Sequence, residues 1–240
     1  EAMRNVYYVM KRELGAYFTS PIAYVVIAIY LAVVGGLGGL LLYFSREATM
    51  RYVFNHAVTL LFTVLVTQVL TMRLVADERR TGTLELLLTA PLRDWEVVVG
   101  KYLASLVVLL VMMALTAYFP VTLLRVGNPD VGPILSGYLG YILLGASLLA
   151  IGLFASSVTQ NQIVAAVIGI GITLLLWLSG ALEELVGPTA GKVVAYLPMF
   201  AHYVDMVRGV IDTTDIVYYV TLVALFLFLS TRVIESGRWK

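Results

Sequence analysis

The feature that most constrains this chain is a run without a single charged residue, from Val131 to Leu182. As one α-helix at about 1.5 Å per residue the run would be about 78 Å long, whereas the hydrocarbon core of a bilayer is only about 30 Å thick. The chain must therefore fold back inside this run. Its only polar cluster, residues 156–162, predicts a tight turn between a membrane span over residues 134–155 and another over residues 163–180.

The composition agrees with a membrane protein. Hydrophobic residues make up 60% of the chain and charged residues 13%, against about 25% charged residues in soluble domains. This scarcity of charge excludes an ordinary soluble enzyme, and the high hydrophobicity excludes a disordered chain. The net charge of +1 gives no indication of a nucleic-acid partner, and the absence of cysteine excludes disulfides and thiolate metal sites.

Further charge-free runs are long enough for membrane-spanning helices, which need about 20 apolar residues. We predict an all-α membrane protein with one transmembrane domain, residues 1–240, and six spans over residues 21–44, 54–72, 97–124, 134–155, 163–180 and 215–232. Six spans place both termini on one side, and that side carries eleven of the 16 Lys and Arg residues. Because basic residues accumulate in cytoplasmic loops, we predict a multi-pass plasma-membrane protein with both termini in the cytoplasm.

Residues 3–18 precede the first span and predict a helix that lies in the membrane interface. Tyr7, Leu14 and Phe18 recur at helical spacing, opposite the basic residues Arg4 and Lys11. An anchor for the first span is the simpler interpretation of this helix, and a direct role in handling a substrate is the alternative.

The chain offers little that could carry out covalent chemistry. Gly100-Lys101 lacks the upstream glycine of a phosphate-binding loop, and Tyr102 occupies the position of its Ser or Thr. His56 and His202 are far apart in the sequence and too few for a metal site. No charged residue lies in the middle of a span, as proton- and ion-coupled transporters usually require. We therefore predict no catalytic residue, no metal and no cofactor on this chain.

The densest group of charges lies between the second and third spans. Within it, residues 77–91 predict a short helix, because Thr83 is a suitable N-cap, Glu85 lies in the first turn and Pro91 ends the helix. A helix with four leucines and one charge is too apolar to be left in water. It could dip into the lipid headgroups or dock into a groove of a cytoplasmic partner, and the spacing alone does not choose between them.

Residues 77–91, DERRTGTLELLLTAP, with Gly100-Lys101 after them, resemble the cytoplasmic loop of the ABC type-2 permeases. These are the membrane subunits of one class of ATP-binding-cassette transporter. Residues 11–24 and 202–215 are similar to the corresponding parts of the gliding-motility-type subgroup. The resemblance covers essentially the whole chain in order, and it implies a permease whose cytoplasmic loop couples to a separate ATPase subunit.

The resemblance implies roles for three segments. Residues 79–88 would form the coupling helix, and the helix over residues 3–18 would be a connecting helix that also touches the ATPase. The residues that would contact the ATPase are Glu78, Arg79, Arg80, Gly82, Thr83, Leu84, Glu85, Leu87 and Leu88. Residues 181–211 would form extracellular re-entrant helices, whose polar residues include Glu183, Glu184, His202 and Asp205. Solvated carboxylates are the alternative interpretation of the two glutamates.

A polar stripe in the second span has two interpretations. Its residues are Thr63, Thr67, Gln68 and Thr71. The stripe could face a dimer seam and line a route for the substrate. It could equally make interhelical hydrogen bonds, which are worth about 0.6 kcal/mol each.

The expected function is therefore that of the permease subunit of an ABC exporter-like transporter in a bacterial or archaeal plasma membrane. Its expected partners are the lipid bilayer, a second permease (identical or homologous), an auxiliary membrane subunit and a cytoplasmic ATPase that holds ATP and Mg²⁺, with no nucleic acid. The alternatives are a stand-alone channel or secondary carrier, and a membrane scaffold that uses ATP hydrolysis for signalling.

Overall fold

The computed structural model describes residues 2–45, 49–83, 92–182 and 196–237, and these residues form an all-helical protein. The helices are α1 (Ala2–Thr19), α2 (Pro21–Ser45), α3 (Arg51–Phe54), α4 (Ala57–Thr71), α5 (Ala76–Thr81), α6 (Asp94–Thr116), α7 (Tyr118–Val126), α8 (Val131–Val158), α9 (Gln162–Leu178), α10 (Met199–Val207) and α11 (Thr213–Gly237). A single 3₁₀ turn, Ser179–Leu182, follows α9.

Among the described residues, five helical stretches are long and apolar enough to cross a membrane. They are Pro21–Ser45, Ala57–Thr81, Asp94–Arg125, Val131–Val158 and Thr213–Gly237. The fifth predicted span corresponds to α9, which is apolar but has only 17 residues. The all-α membrane fold is thus confirmed, whereas the count of six spans stays a prediction.

The charge-free run folds back on itself, with a shorter turn than the sequence indicated. α8 continues through Ser156 and Ser157, and α9 packs against it after a turn of residues 159–161. Asn161 caps α9, because its side-chain oxygen accepts from the backbone N–H of Ile163 at 2.9 Å. The two serines remain helical because their hydroxyls donate to backbone carbonyls, so they need no water-exposed turn.

α8 is the central helix of the bundle. It packs against α4, α6, α9, α10 and α11, and most of its side chains are buried. α2 and α11 lie at the periphery and leave most of their surface exposed. Because both of these helices are apolar, their exposed faces are suited to lipid or to another membrane subunit.

α1 lies along the first turns of α6. Gly100 of α6 permits the close approach, since a Cβ at this position would lie 2.7 Å from Val9 of α1. Val9 and Val6 are buried in this contact, while Tyr7 and Phe18 remain exposed. The amphipathic pattern of α1 therefore serves two surfaces, one against the protein and one available to the membrane interface.

Candidate functional site

Four charged side chains meet at the predicted cytoplasmic end of the bundle and form a closed ring of alternating charge. Arg12 and Glu13 lie on α1, Glu78 lies on α5 and Lys101 lies on α6. Arg12 Nη2 is 2.6 Å from Glu13 Oε1 and 2.7 Å from Glu78 Oε1. Lys101 Nζ is 2.9 and 2.8 Å from the same two oxygens. We call this set the ionic ring, and it joins three helices that are distant in the sequence.

Lys101 is the most buried member of the ionic ring. Its side chain is 1% exposed, against 12% for Glu13 and 18% for Glu78, while that of Arg12 is 49% exposed. A buried ammonium group needs anionic partners, because removing it from water is costly. Since the two carboxylates come from different helices, both α1 and α5 must stay docked on α6 for Lys101 to keep both partners.

The ionic ring shifts the pKa of its two members on α1. Burial acts to raise the pKa of Glu13, but the charge of Lys101 and the hydrogen bonds from Arg12 and Lys101 outweigh burial and bring the pKa below its ordinary 4.5. Burial acts to lower the pKa of Arg12, yet its contacts with Glu13 and Glu78 raise it overall. Both shifts favour the charged forms, so both side chains are ionised at neutral pH.

A second polar contact holds α1 on α6 beside the ionic ring. Asn5 Nδ2 donates to Glu96 Oε2 at 3.0 Å, and the same oxygen accepts the backbone N–H of Arg93 at 3.1 Å. Arg93 is the N-cap of α6 and Glu96 lies in its first turn, where a carboxylate satisfies a free N–H and interacts favourably with the helix dipole. Glu96 therefore fixes both the start of α6 and the position of α1.

α5 follows α4 after a turn, and Ser156 of α8 holds that turn. Its Oγ accepts the backbone N–H groups of Val75 and Ala76, each at 3.0 Å, and donates to the carbonyl of Met72 at 2.9 Å. A break between two helices leaves such groups without intrahelical partners, which is unfavourable in a buried location. The serine thereby stabilises the direction in which α5 leaves the bundle.

The chain before the predicted coupling helix differs from what the resemblance implies. The resemblance implies one helix over residues 79–88, but α5 ends at Thr81 and Gly82 takes the left-handed conformation, with φ of 72°. A left-handed glycine ends an α-helix because the chain leaves the helical path there. Arg79 and Arg80 therefore belong to α5, and this part of the prediction is wrong. The remaining residues predicted for this helix, Leu84, Glu85, Leu87 and Leu88, lie outside the described residues.

The polar side chains of α5 have different partners. Arg79 Nη2 donates to the carbonyl oxygen of Val233 in the last turns of α11, at 3.3 Å. Arg80 pairs with Asp77 at 2.8 Å on the surface of α5. Since Glu78 belongs to the ionic ring, α5 is connected to α11 on one side and to α1 and α6 on the other.

An open cavity of about 240 Å³ lies beside the ionic ring, between α1 and α5. Its lining includes Glu13, Tyr17, Arg73, Asp77, Glu78, Thr81 and Thr83. The Tyr17 hydroxyl donates to the Leu70 carbonyl at 2.6 Å, and the Arg73 guanidinium lies 5.0 Å from the centre of the Tyr17 ring. Each of the three carboxylates of the lining is paired with a basic side chain: Glu13 and Glu78 through the ionic ring, and Asp77 with Arg80.

The polar stripe of the second span lies inside the chain. Its members Thr63, Thr67, Gln68 and Thr71 are each at most 1% exposed. Two of them reach α8. The Thr63 hydroxyl forms a hydrogen bond with the Tyr141 hydroxyl, and Gln68 Nε2 donates to the Leu148 carbonyl at 3.2 Å. Thr67 and Thr71 donate to carbonyls of their own helix. Thr63 and Gln68 thus make the interhelical hydrogen bonds of one interpretation, and the stripe as a dimer seam or substrate route stays a prediction.

On the predicted outer side, His202 contacts Asp215, which was not among the residues predicted for the outer segment. His202 Nδ1 lies 2.6 Å from Asp215 Oδ1, and Nε2 lies 3.2 Å from the Tyr196 carbonyl oxygen. The ring of Tyr218 stacks on the imidazole with 4.2 Å between the ring centres. This cluster attaches the start of α10 to the start of α11.

The other residues predicted for the outer segment do not join this cluster. Asp205 pairs with Arg208 at 3.4 Å on the exposed surface of α10. Glu183 and Glu184 lie outside the described residues. Over the parts of the chain that the structure describes, no three His, Asp or Glu side chains lie close enough together to hold a metal ion.

Sequence reasoning missed Lys101 as the centre of a site, and it missed Ser156 and Asp215. The available signal for Lys101 and Asp215 was a charged residue at the end of a long apolar helix. For Ser156 no local signal exists, because its three backbone partners lie at the turn between α4 and α5, at least 80 residues away along the chain.

Comparison with known proteins agrees with these observations. A probable multidrug ABC transporter permease of Escherichia coli K12, YbhS, is 26% identical over 194 residues, covering 80% of this chain and 51% of the relative. A second such permease, YbhR, is 27% identical over 141 residues, covering 57% of this chain and 37% of the relative. The chain thus spans about half the length, or less, of the curated relatives it matches.

The family profile described as ABC-2 family transporter protein matches residues 42–233. The match includes α4, the whole segment up to α6 and the later helices, except for the last residues of α11. The closer resemblance to the gliding-motility-type subgroup stays a prediction. With four fifths of its length matched in this way, the chain belongs to the ABC-2 family of transporter proteins.

Proposed function

We propose that this chain is the membrane-spanning permease subunit of an ABC exporter-like transporter. The family match over residues 42–233 carries the proposal, because it includes the segment that resembles a coupling helix. A separate cytoplasmic ATPase would bind ATP and Mg²⁺ and would shift the permease between inward-open and outward-open states. The chain itself would supply the pathway and the mechanical link, without covalent chemistry.

The contact with the ATPase is proposed along residues 78–88, which we call the coupling segment. Two features of the described residues support this location. The ionic ring and Ser156 fix the base of the coupling segment against α1, α6 and α8, so that a force applied there reaches the spans. The open cavity beside the base leaves room next to the coupling segment for a side chain of the ATPase.

A second permease, identical or homologous, is proposed to cover part of the exposed apolar surface. α2 and α11 leave most of their surface uncovered by the rest of the chain. Lipid would cover what the second permease leaves, and an auxiliary membrane subunit would fit the same faces. Both termini would lie in the cytoplasm of a bacterial or archaeal cell.

For the cargo we propose a lipid-like or amphiphilic molecule. The charged residues of the described spans lie near the ends of the helices, so their middle parts offer an apolar environment. The names of the two relatives contain the word multidrug, and an apolar pathway suits cargo of that kind.

The test is to place a charge on the leucines of the coupling segment. Leu84→Asp or Leu87→Asp should leave the permease inserted in the membrane but should abolish co-purification of the ATPase, because an apolar contact cannot accept an unpaired carboxylate. Leu84→Met and Leu87→Met keep the apolar character and are the matched controls.

Undisturbed binding and ATP hydrolysis in both Asp variants would contradict the coupling assignment. Transport by the purified chain in proteoliposomes without an ATPase would instead support a channel or secondary carrier. ATP-dependent responses without transport would support a signalling scaffold.

A further inference from the structure

The ionic ring stands between the coupling segment and the membrane spans. Glu78 lies in α5, just before Gly82, where the chain turns out of the helix, and Lys101 lies two turns into α6. We propose that the Glu78–Lys101 pair transmits movement of the coupling segment into α6, while Arg12 and Glu13 hold α1 to the same pair. This inference rests on the proposed function, because it requires an ATPase that acts on the coupling segment.

The burial of Lys101 makes this pair different from a surface ion pair, which contributes little. The Lys101 ammonium sits between Oε1 of Glu13 and Oε1 of Glu78, at 2.9 and 2.8 Å, and its side chain is 1% exposed. A displacement of α5 must therefore either carry Lys101 along or leave a buried ammonium with one partner fewer. The second result is strongly unfavourable, so α6 follows α5.

The ionic ring also holds one unused acceptor. Glu78 Oε2 is buried and has no hydrogen-bond partner among the described residues. A buried acceptor without a partner lowers stability. Among the described residues, Glu78 is therefore held in the ionic ring through Oε1, so a displacement of α5 acts directly on the contacts of Oε1 with Arg12 and Lys101.

The charge balance of the ionic ring allows transmission to be separated from stability. Lys101→Met alone leaves two carboxylates facing one guanidinium, so we expect this variant to melt at a lower temperature. Lys101→Met/Glu13→Gln restores the balance, since Arg12 and Glu78 remain as one pair. The double variant keeps α1 linked to α5 but removes the link to α6.

The assay uses the permease purified together with the ATPase that accompanies the wild-type chain, in lipid nanodiscs. It measures the ATPase bound, the melting temperature, and the change in ATP hydrolysis that the permease causes relative to the isolated ATPase. We expect the double variant to bind the ATPase and melt like the wild type, but to reduce that change at least about fivefold.

Two single variants complete the assay. Lys101→Arg keeps the cation and should retain most of the permease-dependent change in ATP hydrolysis. Arg232→Met removes a cation whose partner is Glu235, on the exposed surface of α11, and should leave all three readouts unchanged.

The inference would be overturned if the Lys101→Met/Glu13→Gln variant folds, binds the ATPase and changes ATP hydrolysis as much as the wild type does. The ionic ring would then be a stabilising contact only. If this variant does not fold, Lys101→Met/Glu78→Gln is also charge-balanced and tests the same link. Because Glu78 belongs to the coupling segment, only variants that still bind the ATPase are compared: lost coupling with the ATPase bound supports the inference, and wild-type coupling refutes it. A wild-type chain that binds no ATPase would overturn the proposed function together with this inference, and this result is visible before any variant is made.

Discussion

Replacing Gly169 with alanine should destabilise the bundle by about 2–4 kcal/mol. Gly169 of α9 faces Gln68 of α4, whose side chain is 1% exposed. A Cβ at position 169 would lie 2.8 Å from Gln68 Cδ and still closer to Oε1. The amide is the flexible end of its side chain, but it has little room to move because the side chain is buried and α8 lies on its other side, so close that a Cβ added at Gly152 would be 2.8 Å from the same oxygen.

The magnitude follows from two contributions. Overpacking of a close-packed site costs about 1–3 kcal/mol. If the amide rotates away, it also loses the hydrogen bond from Gln68 Nε2 to the Leu148 carbonyl, at 3.2 Å, which is worth about 0.6 kcal/mol on average and at most about 1.7 kcal/mol. At about 2–4 °C per kcal/mol for a chain of this size, the melting temperature should fall by roughly 5–15 °C.

The assay is thermal unfolding in lipid nanodiscs, followed by the fluorescence of the three tryptophans. Gly171→Ala is the matched control on the same helix, since a Cβ there meets nothing within 4 Å. It should be neutral or stabilising by up to about 1 kcal/mol, because alanine favours the helix. Adding Gln68→Ala to Gly169→Ala removes the clashing amide. The destabilisation of the double variant should therefore be smaller than the sum of the destabilisations of the two single variants, by about 1–3 kcal/mol.

Two outcomes would refute the reasoning. One is a Gly169→Ala variant whose free energy of unfolding lies within about 0.5 kcal/mol of the wild type. The other is a double variant whose destabilisation equals the sum of the two single destabilisations within about 0.5 kcal/mol. Either would mean that Gln68 is not confined between α8 and α9. The interpretation of the polar stripe as an interhelical contact would then lose its support.

Two further predictions concern the predicted cytoplasmic end. Ser156→Ala should lower the free energy of unfolding by about 2–4 kcal/mol, because it leaves the buried N–H groups of Val75 and Ala76 without their acceptor. Ser157→Ala is the control, since it loses only a hydrogen bond within its own helix. In the same thermal assay it should cost less than about 1 kcal/mol. The pKa of Glu13 lies below its ordinary 4.5, so its stabilising contribution is full above that pH and is lost as the pH falls through the lowered value. The difference in melting temperature between the wild type and Glu13→Gln should therefore narrow as the pH is lowered from 6 to below 4.5, and a constant difference would contradict the role given to the ionised carboxylate.

The sequence located the candidate site but did not give its geometry. The coupling segment stands out because charges are dense there and scarce elsewhere, which is a local property of the sequence. The end of α5 could also have been read from Gly82, since a glycine after a short helix is a common stop signal. The partners of Lys101 could not be read in this way, because Glu13 is 88 residues away along the chain and nothing in its neighbourhood indicates which helix it meets.

By itself, the sequence determined that this is an all-α membrane protein. It also determined where the apolar helices lie and which segment between them carries the densest group of charges. It could do so because hydrophobicity and charge belong to each residue alone, and the thickness of the bilayer converts them into helix lengths. The tertiary structure decided which side chains meet: the ionic ring, the burial of Gln68 against two glycines, and the contact of His202 with Asp215. These depend on the rotation and spacing of packed helices, and the packing of a whole bundle fixes both together.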